Sequence, residues 1–193
     1  KILYNETPRL MTELITTYQI NREQIAGLRA VSEETAYPLV RLFDEDLRTP
    51  WITEKGDTPE QVWLEVELKD FCLQAVGLVN GFFLDDATYA TYARVKKIKV
   101  QIEQERYDFL TNRVEKRLFE EVVELADEPY LEVNEKAFAP LVSILADLGQ
   151  SFNKTSRLRL TILETYPGTI NQIALGELFL LGYKNDQDFP VEE

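Results

Sequence analysis

Apolar and polar residues alternate along several short stretches of the chain, the pattern of β-strands that bury one face and expose the other. The clearest stretch is residues 157–164, where Leu158, Leu160 and Ile162 would face a core while the residues between them face solvent. Residues 61–68 and 96–102 repeat the pattern. Each of these stretches is predicted to form a strand.

Apolar runs predict further strands. Residues 71–80 are almost entirely apolar, as in a strand buried on both faces, and Asn80-Gly81 ends the run with turn residues. Residues 141–148 fit either a strand or a helix, and we favour a strand. The composition of residues 118–125, 130–133 and 176–182 also favours strands, and residues 166–169 form a predicted turn.

The two ends of the chain are predicted to lie outside this set of strands. Residues 11–20 are rich in β-branched side chains and could form a strand of their own. Asn21 is a suitable N-cap for a short helix over residues 21–28. We divide the chain into an N-terminal extension packed on the main domain, that domain, and a flexible polar tail, at residues 1–29, 30–182 and 183–193.

Many short strands separated by turn residues predict an all-β antiparallel fold, either a sandwich or a barrel. No segment repeats at a fixed period, which argues against propellers and solenoids. The candidate helices are short and peripheral. A chain of 193 residues has the size of one domain with additions.

The charge of the chain narrows its possible partners. The net charge is −13, and phosphate recognition needs clustered Lys and Arg, so nucleic acid and anionic membranes are unfavourable partners. A neutral ligand or a cation suits this charge better. No apolar stretch is long enough to span a membrane as a helix.

The chain contains no histidine, which excludes Ser-His and Cys-His catalysis and most zinc sites. Its one cysteine, Cys72, lies in an apolar run and cannot form an internal disulfide, so it is predicted to be a small buried residue. The sequence has no Gly-rich phosphate loop, nucleophile elbow or metal-hydrolase spacing. Paired carboxylates could in principle hydrolyse a glycoside, but acids are too abundant here for any pair to be informative.

The segment from Leu42 to Trp51 is predicted to be an ordered loop, which we call the acidic loop. Asp44 and Asp46 can fold back onto nearby backbone, and the proline before Trp51 disfavours a helix. With the hydroxyl of Thr49, their carboxylates form an oxygen set of the kind that calcium prefers. The alternative is a turn in which the acids cap backbone amides and face solvent.

A series of motifs begins with the acidic loop and continues along the chain. They are Leu42-Phe43-Asp44 with Asp46, Thr49 and Trp51; residues 63–68; residues 76–82; Tyr89 and Tyr92 before residues 94–98; residues 159–163 with Tyr166-Pro167-Gly168; and Gly176-Glu177-Leu178. Together they resemble the discoidin or F5/8 type C family, specifically its bacterial NADase-type glycan-binding variant, over residues 30–182. The resemblance implies a galactose-binding-domain-like jelly-roll β-sandwich.

The resemblance also implies a structural calcium ion, with side-chain ligands at Asp44, Asp46, Thr49 and Glu177, and no organic cofactor. Two departures affect this site. Arg41 stands where an asparagine is usual, and Glu45 replaces the turn glycine between the two acids. A glutamate is strained at positive φ, so we expect the loop to differ in shape.

In the resembling family, glycans bind to loops at one end of the sandwich. The candidates for such a site here come from two loops: Phe82, Phe83, Tyr89, Tyr92 and Arg94 after Asn80-Gly81, and Tyr166, Asn171 and Gln172 before the last strand. Aromatic rings cover the C–H surfaces of sugars, and amides and guanidinium groups bind their hydroxyls. The alternative for any one of these aromatic residues is burial in the core. Trp51 and Trp63 are both assigned to the core.

The resulting hypothesis is a non-catalytic glycan-binding module of an exported or cell-surface bacterial protein. We expect it to act outside the cytoplasm, as part of a secreted, periplasmic or outer-membrane lipoprotein whose signal is removed. The alternative is a structural or adhesive domain of an envelope lipoprotein that binds a protein surface. A third possibility, a hydrolase, would need a cleft with two carboxylates at a defined separation.

Overall fold

Two antiparallel sheets, one of five strands and one of three, face each other across the main hydrophobic core. The structure, a computed structural model, describes residues 18–56, 58, 62–132, 141–148 and 153–185. The strands are β1 Ile25–Ala30, β2 Trp51–Ile52, β3 Trp63–Leu68, β4 Phe71–Val79, β5 Arg94–Asp108, β6 Arg113–Glu124, β7 Val142–Asp147, β8 Lys154–Tyr166, β9 Ala174–Leu175 and β10 Glu177–Lys184. The helices are α1 Asp86–Thr91 and two 3-10 helices, Arg22–Gln24 and Leu39–Phe43.

The larger sheet has the order β1-β3-β8-β5-β6, and the smaller has the order β10-β4-β7. The short strands β2 and β9 pair beside them, joining Trp51 to Leu175. This arrangement confirms the predicted all-β sandwich. No helix in the described ranges is long and apolar enough to cross a membrane.

The predicted alternation of buried and exposed positions is confirmed in three strands. Leu158, Leu160 and Ile162 of β8 are buried, and the even-numbered apolar residues of β3 and β5 are buried beside them. Fully burying each such side chain stabilises the fold by about 1.5–3 kcal/mol. These residues form the inner face of the larger sheet, so the period-two pattern fixes which face meets the core.

Strand β4 is buried on both faces, as its apolar run predicted. One face meets the larger sheet, and the other lies in a second cluster with Phe179, Leu47, Phe83 and Tyr89. Cys72 lies within this strand and is buried, which confirms its predicted role. The predicted strands over residues 141–148 and 176–182 are confirmed as β7 and β10.

Three predictions of secondary structure are wrong. The helix expected over residues 21–28 ends at Gln24, whose side-chain Oε1 accepts a hydrogen bond from Asn21 N at 3.1 Å. The chain then enters β1, because pairing with β3 gives Ile25–Ala30 a sheet partner that local propensity does not anticipate. The boundary expected at residue 30 therefore falls within a strand.

The two other errors concern residues near loops and the C-terminus. Residues 130–132, expected to be a strand, lie outside any strand, and residue 133 is outside the described ranges. Tyr183 and Lys184, expected in a loose tail, pair with Cys72 and Phe71 in the last ladder of β10. The tail at 186–193 and nearly all of the strand expected at 11–20 lie outside the described residues.

The two tryptophans occupy different environments, although both were expected in the core. Trp51 is fully buried. Trp63 is half-buried and lies on the outer face of β3, where the guanidinium of Arg159 sits 4.2 Å from its ring centroid. The core assignment of Trp63 is wrong because its neighbours Val62 and Leu64 take the inner face, which turns Trp63 outward.

A long hairpin, β5–β6, extends beyond the rest of the larger sheet. Strand β5 has 15 residues, and its pairing with β8 ends at Glu105, while its pairing with β6 continues to Asp108. The tip carries Phe109 and Leu110, which are 83% and 96% exposed.

Candidate functional site

The loops that follow β4 and β8 meet at one end of the sandwich. Ala93 N donates to Gln172 O at 2.9 Å, and Ile170 N donates to Thr91 O at 3.0 Å. Gly168 makes this approach possible, because a Cβ atom there would lie 2.4 Å from Thr91 O. The acidic loop joins the same end, since Phe83 N donates to Leu47 O at 3.3 Å. Segments far apart in sequence thus build one surface.

The acidic loop folds onto itself through its acids. Asp44 accepts hydrogen bonds from Asp46 N at 3.0 Å and from the hydroxyl of Thr49 at 2.6 Å. The Asp46 carboxylate accepts from Arg48 N and Nε, and hydrogen bonding from Arg48 lowers the pKa of Asp46. Both aspartates therefore stabilise the loop by accepting hydrogen bonds from within it.

Glu45 takes φ of 62°, in the left-handed region that glycine usually occupies. The turn between the two acids is therefore left-handed despite the glutamate. Strain of this kind costs roughly 1–2 kcal/mol. A glutamate at this position therefore raises the free energy of the left-handed conformation but does not prevent it.

Glu177, the first residue of β10, is the most unusual side chain at this end. It is 1% exposed, and neither carboxylate oxygen has a hydrogen-bond partner among the described residues. Burial raises the pKa of Glu177 to about 9, the charge of nearby Asp44 adds to the rise, and the nearby backbone N–H of Glu45 opposes it in part. A buried, unpaired carboxyl group beside an acid-rich loop is costly unless a cation or a proton neutralises it.

The structure brings the four predicted metal ligands into one region. Asp44, Asp46 and Thr49 are joined by hydrogen bonds, and Asp44 and Asp46 both act electrostatically on Glu177. In the described part of the chain, no group of three or more Asp, Glu or Cys side chains is placed to hold a metal ion. A cation here would therefore need backbone carbonyls and the Thr49 hydroxyl as well as carboxylates.

Three of the aromatic residues predicted to bind sugar are buried instead. Phe82, Phe83 and Tyr89 all lie in hydrophobic clusters. The rings of Phe83 and Tyr89 are 4.9 Å apart, and Tyr89 OH donates to Glu128 O at 2.7 Å. A sugar ring would have to displace core contacts to stack on these three rings. Their burial therefore contradicts the prediction that they contact the sugar directly.

Arg94 is also buried, and its donors are used within the protein. Its guanidinium donates to the Asp127 carboxylate at 2.8 and 3.2 Å and to Tyr89 O at 3.2 Å. The same group lies 4.7 Å from the Tyr89 ring centroid. Hydrogen bonding to Asp127 raises the pKa of Arg94. Arg94 therefore fixes the loop after β4 rather than presenting free donors to a ligand.

Replacing Arg94 with methionine is expected to lower the free energy of unfolding by about 2 kcal/mol, because Asp127 and the Tyr89 carbonyl lose a shared donor. Urea denaturation followed by circular dichroism measures this change. Lys96→Met on the same strand is the control, since its ion pair with Glu164 is exposed and should matter much less. Equal effects of the two substitutions would contradict a structural role for Arg94.

The remaining predicted residues are divided between structural and exposed positions. Tyr166 OH donates to Leu125 O at 2.8 Å. Gln172 Nε2 donates to Glu34 Oε2 at 2.7 Å and to Thr53 O at 2.8 Å. Asn171 is exposed. Gln172 thus positions the Glu34 carboxylate at the surface of this end.

A cluster that sequence reasoning missed lies beside Gln172. The rings of Tyr37, Phe82 and Tyr92 stand 5.8 and 5.6 Å apart, and we call these three residues the aromatic patch. Tyr37 and Tyr92 are half-buried, and the Arg41 guanidinium lies 5.2 Å from the Tyr37 ring centroid. Burial raises the pKa of Tyr92, with further contributions from Tyr37 and Glu34. Two partly exposed tyrosines thus adjoin a carboxylate and a guanidinium.

Such a surface suits a ligand with one apolar face and several hydroxyls.

Little in the sequence pointed to the aromatic patch. Tyr37 and Glu34 precede the acidic loop and belong to no recognised motif, and only the fold brings them to Tyr92 and Gln172. Among the predicted residues, Tyr92, Asn171 and Gln172 remain available at this surface or next to it.

No family model matches the chain, and no curated protein matches it. Solved structures do resemble it. A family 32 carbohydrate-binding module from Clostridium perfringens NanJ, in complex with galactose, has a TM-score of 0.51 and 16% identity, covering 84% of this chain and 97% of that one. An F5/8 type C domain from Bacteroides fragilis has a TM-score of 0.56 and 12% identity, covering 87% and 97%.

A third similar structure contains two family 32 modules of Clostridium perfringens ZmpB in complex with GalNAc. Its TM-score is 0.56 at 13% identity, and the match covers 94% of this chain and 40% of that chain. At these identities the likeness establishes the fold. It confirms the predicted galactose-binding-domain-like sandwich and the resemblance to discoidin or F5/8 type C domains, while the finer likeness to the NADase-type variant stays a prediction.

Proposed function

We propose that this chain, with its galactose-binding-domain-like fold, is a non-catalytic carbohydrate-binding module whose sugar site is the aromatic patch. The observation that carries the proposal is the pair of partly exposed tyrosines, Tyr37 and Tyr92, beside the Glu34 carboxylate that Gln172 holds in place. Structural neighbours described as bound to galactose and to GalNAc support this class of ligand.

The chemistry of the patch fits a sugar in two ways. The rings offer apolar faces to the C–H side of a pyranose, where stacking buries apolar surface. The Glu34 carboxylate accepts hydrogen bonds from hydroxyls, and the Arg41 guanidinium donates them. The net charge of −13 favours a neutral sugar over an acidic one. Galactose and its N-acetylamino derivative are therefore the first ligands to test.

Tyr92→Ala is expected to lower affinity for galactose or GalNAc at least about tenfold, because the sugar loses one of its two stacking rings. Isothermal titration calorimetry measures the affinity, and Tyr37→Ala should have a similar effect. Tyr107→Ala is the matched control, since Tyr107 lies near the tip of the β5–β6 hairpin and should leave binding unchanged.

A glycan array probed with the unaltered protein tests the ligand class more broadly. Binding to sugars that share a terminal residue supports the proposal, and Tyr92→Ala should remove it. Absence of binding to every glycan on the array would contradict the carbohydrate assignment. Binding that persists unchanged in both tyrosine variants would place the sugar elsewhere on the molecule.

The proposal includes a structural calcium ion at the acidic loop. The residues fit the ion in type, because Glu177 is a buried carboxyl group with both oxygens unpaired among the described residues. Asp44, Asp46 and Thr49 would add the other side-chain oxygens, with the Asp46 carboxylate exchanging its contact with Arg48 for the ion. The ion would supply positive charge that fastens the loop to the start of β10.

The cellular setting remains part of the proposal. The described neighbours are binding modules of bacterial proteins, which supports a module that meets its glycan outside the cytoplasm. Membership of a secreted, periplasmic or lipid-anchored protein would be consistent with that role. The exposed hairpin, with Phe109 and Leu110 at its tip, favours an added contact with protein.

A further inference from the structure

The free edge of the larger sheet is a long strand, β6. It forms one end of the sheet order, and within the described ranges only β5 pairs with it. Exposed edges of this length usually carry features that prevent further pairing. Here most side chains of β6 are exposed, and the strand contains both apolar and charged residues. The side chains of β6 therefore determine which strand could pair with this edge.

The two halves of β6 carry opposite charge. Its first five residues include Arg113, Lys116 and Arg117, and its last five include three glutamates, at 120, 121 and 124. In a parallel pair of two such strands, like charges would lie near one another. In an antiparallel pair, the basic half of one strand lies beside the acidic half of the other. The strand is thus complementary to an antiparallel copy of itself.

We propose that two copies of this chain associate by antiparallel pairing of their β6 strands, with Leu118 opposite its own copy. A two-fold axis perpendicular to the sheet keeps the corresponding faces of the two sheets on the same side. Each side chain of β6 therefore lies opposite a side chain on the same face of the other copy. In this register Lys116 lies opposite Glu120 of the other copy. Val114 likewise lies opposite Val122.

The apolar residues on the outer face support this register. Leu118 and Val122 are 59% and 53% exposed, which is high for side chains in a strand. Their neighbours across β5 are Glu103 and Lys99, which cover little of them. Pairing would place Leu118 against Leu118 and Val122 against Val114, and so remove apolar surface from water.

The opposite face of β6 has one unfavourable pair in this register. Glu115 would lie opposite Glu121 of the other copy, and like charges in that position are destabilising. However, Arg113 and Arg117 of the first strand are then the diagonal neighbours of that Glu121. Diagonal positions are within reach of long side chains, so the two arginines offset the repulsion.

Sedimentation velocity of the full chain over a concentration series tests the association. We expect a reversible dimer that dissociates on dilution. Lys116→Glu puts two glutamates opposite each other twice in the dimer, and Glu120→Lys does the same with lysines. Each substitution alone is expected to raise the dimer dissociation constant at least about tenfold.

Mixing the two variants provides the decisive result. In a mixed pair, the glutamate introduced at position 116 of one chain would meet the lysine introduced at position 120 of the other. The native Lys116 and Glu120 would meet at the second contact, so the dimer should return. Misfolding of either variant could not produce this recovery. Failure of the mixture to associate, when the unaltered protein dimerises, would overturn the proposed register, and a protein that stays monomeric throughout would overturn the association itself.

Leu118→Lys is expected to abolish the dimer, because it places two lysines at the two-fold axis. Leu84→Lys is the matched control, since Leu84 is 52% exposed and lies in the loop after β4, away from β6. A dimer that survives Leu118→Lys, or is lost equally in Leu84→Lys, would show that another surface is used. Circular dichroism melting curves verify that each variant is folded.

Discussion

Replacing Glu177 with glutamine is expected to stabilise the calcium-free protein at pH 7 by about 2 kcal/mol, and to remove its response to calcium. Burial raises the pKa of this carboxyl group to about 9, from an ordinary value of 4.5. At pH 7 the unfolded chain has lost this proton while the folded chain retains it. Glutamine is neutral at every pH, so it avoids the cost of retaining the proton.

The direction of the pH dependence follows from the same values. Between about pH 4.5 and about pH 9, the folded state binds one more proton at Glu177 than the unfolded state does. The contribution of Glu177 to stability therefore falls as pH rises through this window, by about 3 kcal/mol at pH 7. Denaturation of the calcium-free protein at several pH values should show this slope in the unaltered protein and a flatter one in Glu177→Gln.

Calcium should act in the opposite direction. An ion that binds only the folded state stabilises it by about 2.7 kcal/mol at a concentration one hundred times its dissociation constant. Thermal melting with calcium or with chelator measures this gain, which Glu177→Gln should lose. Glu54→Gln, at an exposed position outside the acidic loop, is the control and should keep it. Equal calcium stabilisation of Glu177→Gln and Glu54→Gln would refute the calcium site. Parallel pH profiles of Glu177→Gln and the unaltered protein would refute the buried, protonated state of Glu177.

Truncating Trp51 to alanine is expected to lower the free energy of unfolding by about 4 kcal/mol, since it empties a fully buried position. Trp51 forms β2 at the end of the acidic loop, and it pairs with Leu175, two residues before Glu177. Its loss should therefore also weaken the calcium response. Urea denaturation followed by far-ultraviolet circular dichroism measures the stability without relying on tryptophan fluorescence.

Trp63→Ala is the matched control, because Trp63 is half-buried on the outer face of the larger sheet. We expect a loss of about 1–2 kcal/mol there, from reduced burial and the Arg159 contact. Trp51→Phe should cost less than Trp51→Ala, since the indole Nε1 of Trp51 has no partner among the described residues. Similar losses for the two alanine variants would contradict the different environments of the two tryptophans.

The fold was predictable where the sequence carries a period of two. Residues such as Leu158 and Leu160 alternate with charged ones, and burial of one face leaves a single register. The same reasoning, applied to Val62 and Leu64, would have turned Trp63 outward. The strand β1 was missed because its stability comes from pairing with β3, which local propensity does not contain.

The candidate site was only partly predictable. The acidic loop and Glu177 were recognised through their resemblance to a known family, and the structure brings them together. Tyr37 and Glu34 were missed because their partners, Tyr92 and Gln172, are distant in sequence. The aromatic residues next to Asn80-Gly81 were assigned to ligand contact, but a sequence does not show which rings of such a loop turn inward.

The length of β5 has a consequence for how such a module would meet a glycan-covered surface. Its 15 residues span about 50 Å, and Arg94 at its start lies at the aromatic end, while Asp108 lies near the hairpin tip. Two copies joined through β6 run in opposite directions, so their sugar sites would point away from each other. Such a pair would cross-link two separate surfaces and agglutinate particles, instead of gripping one surface with both sites.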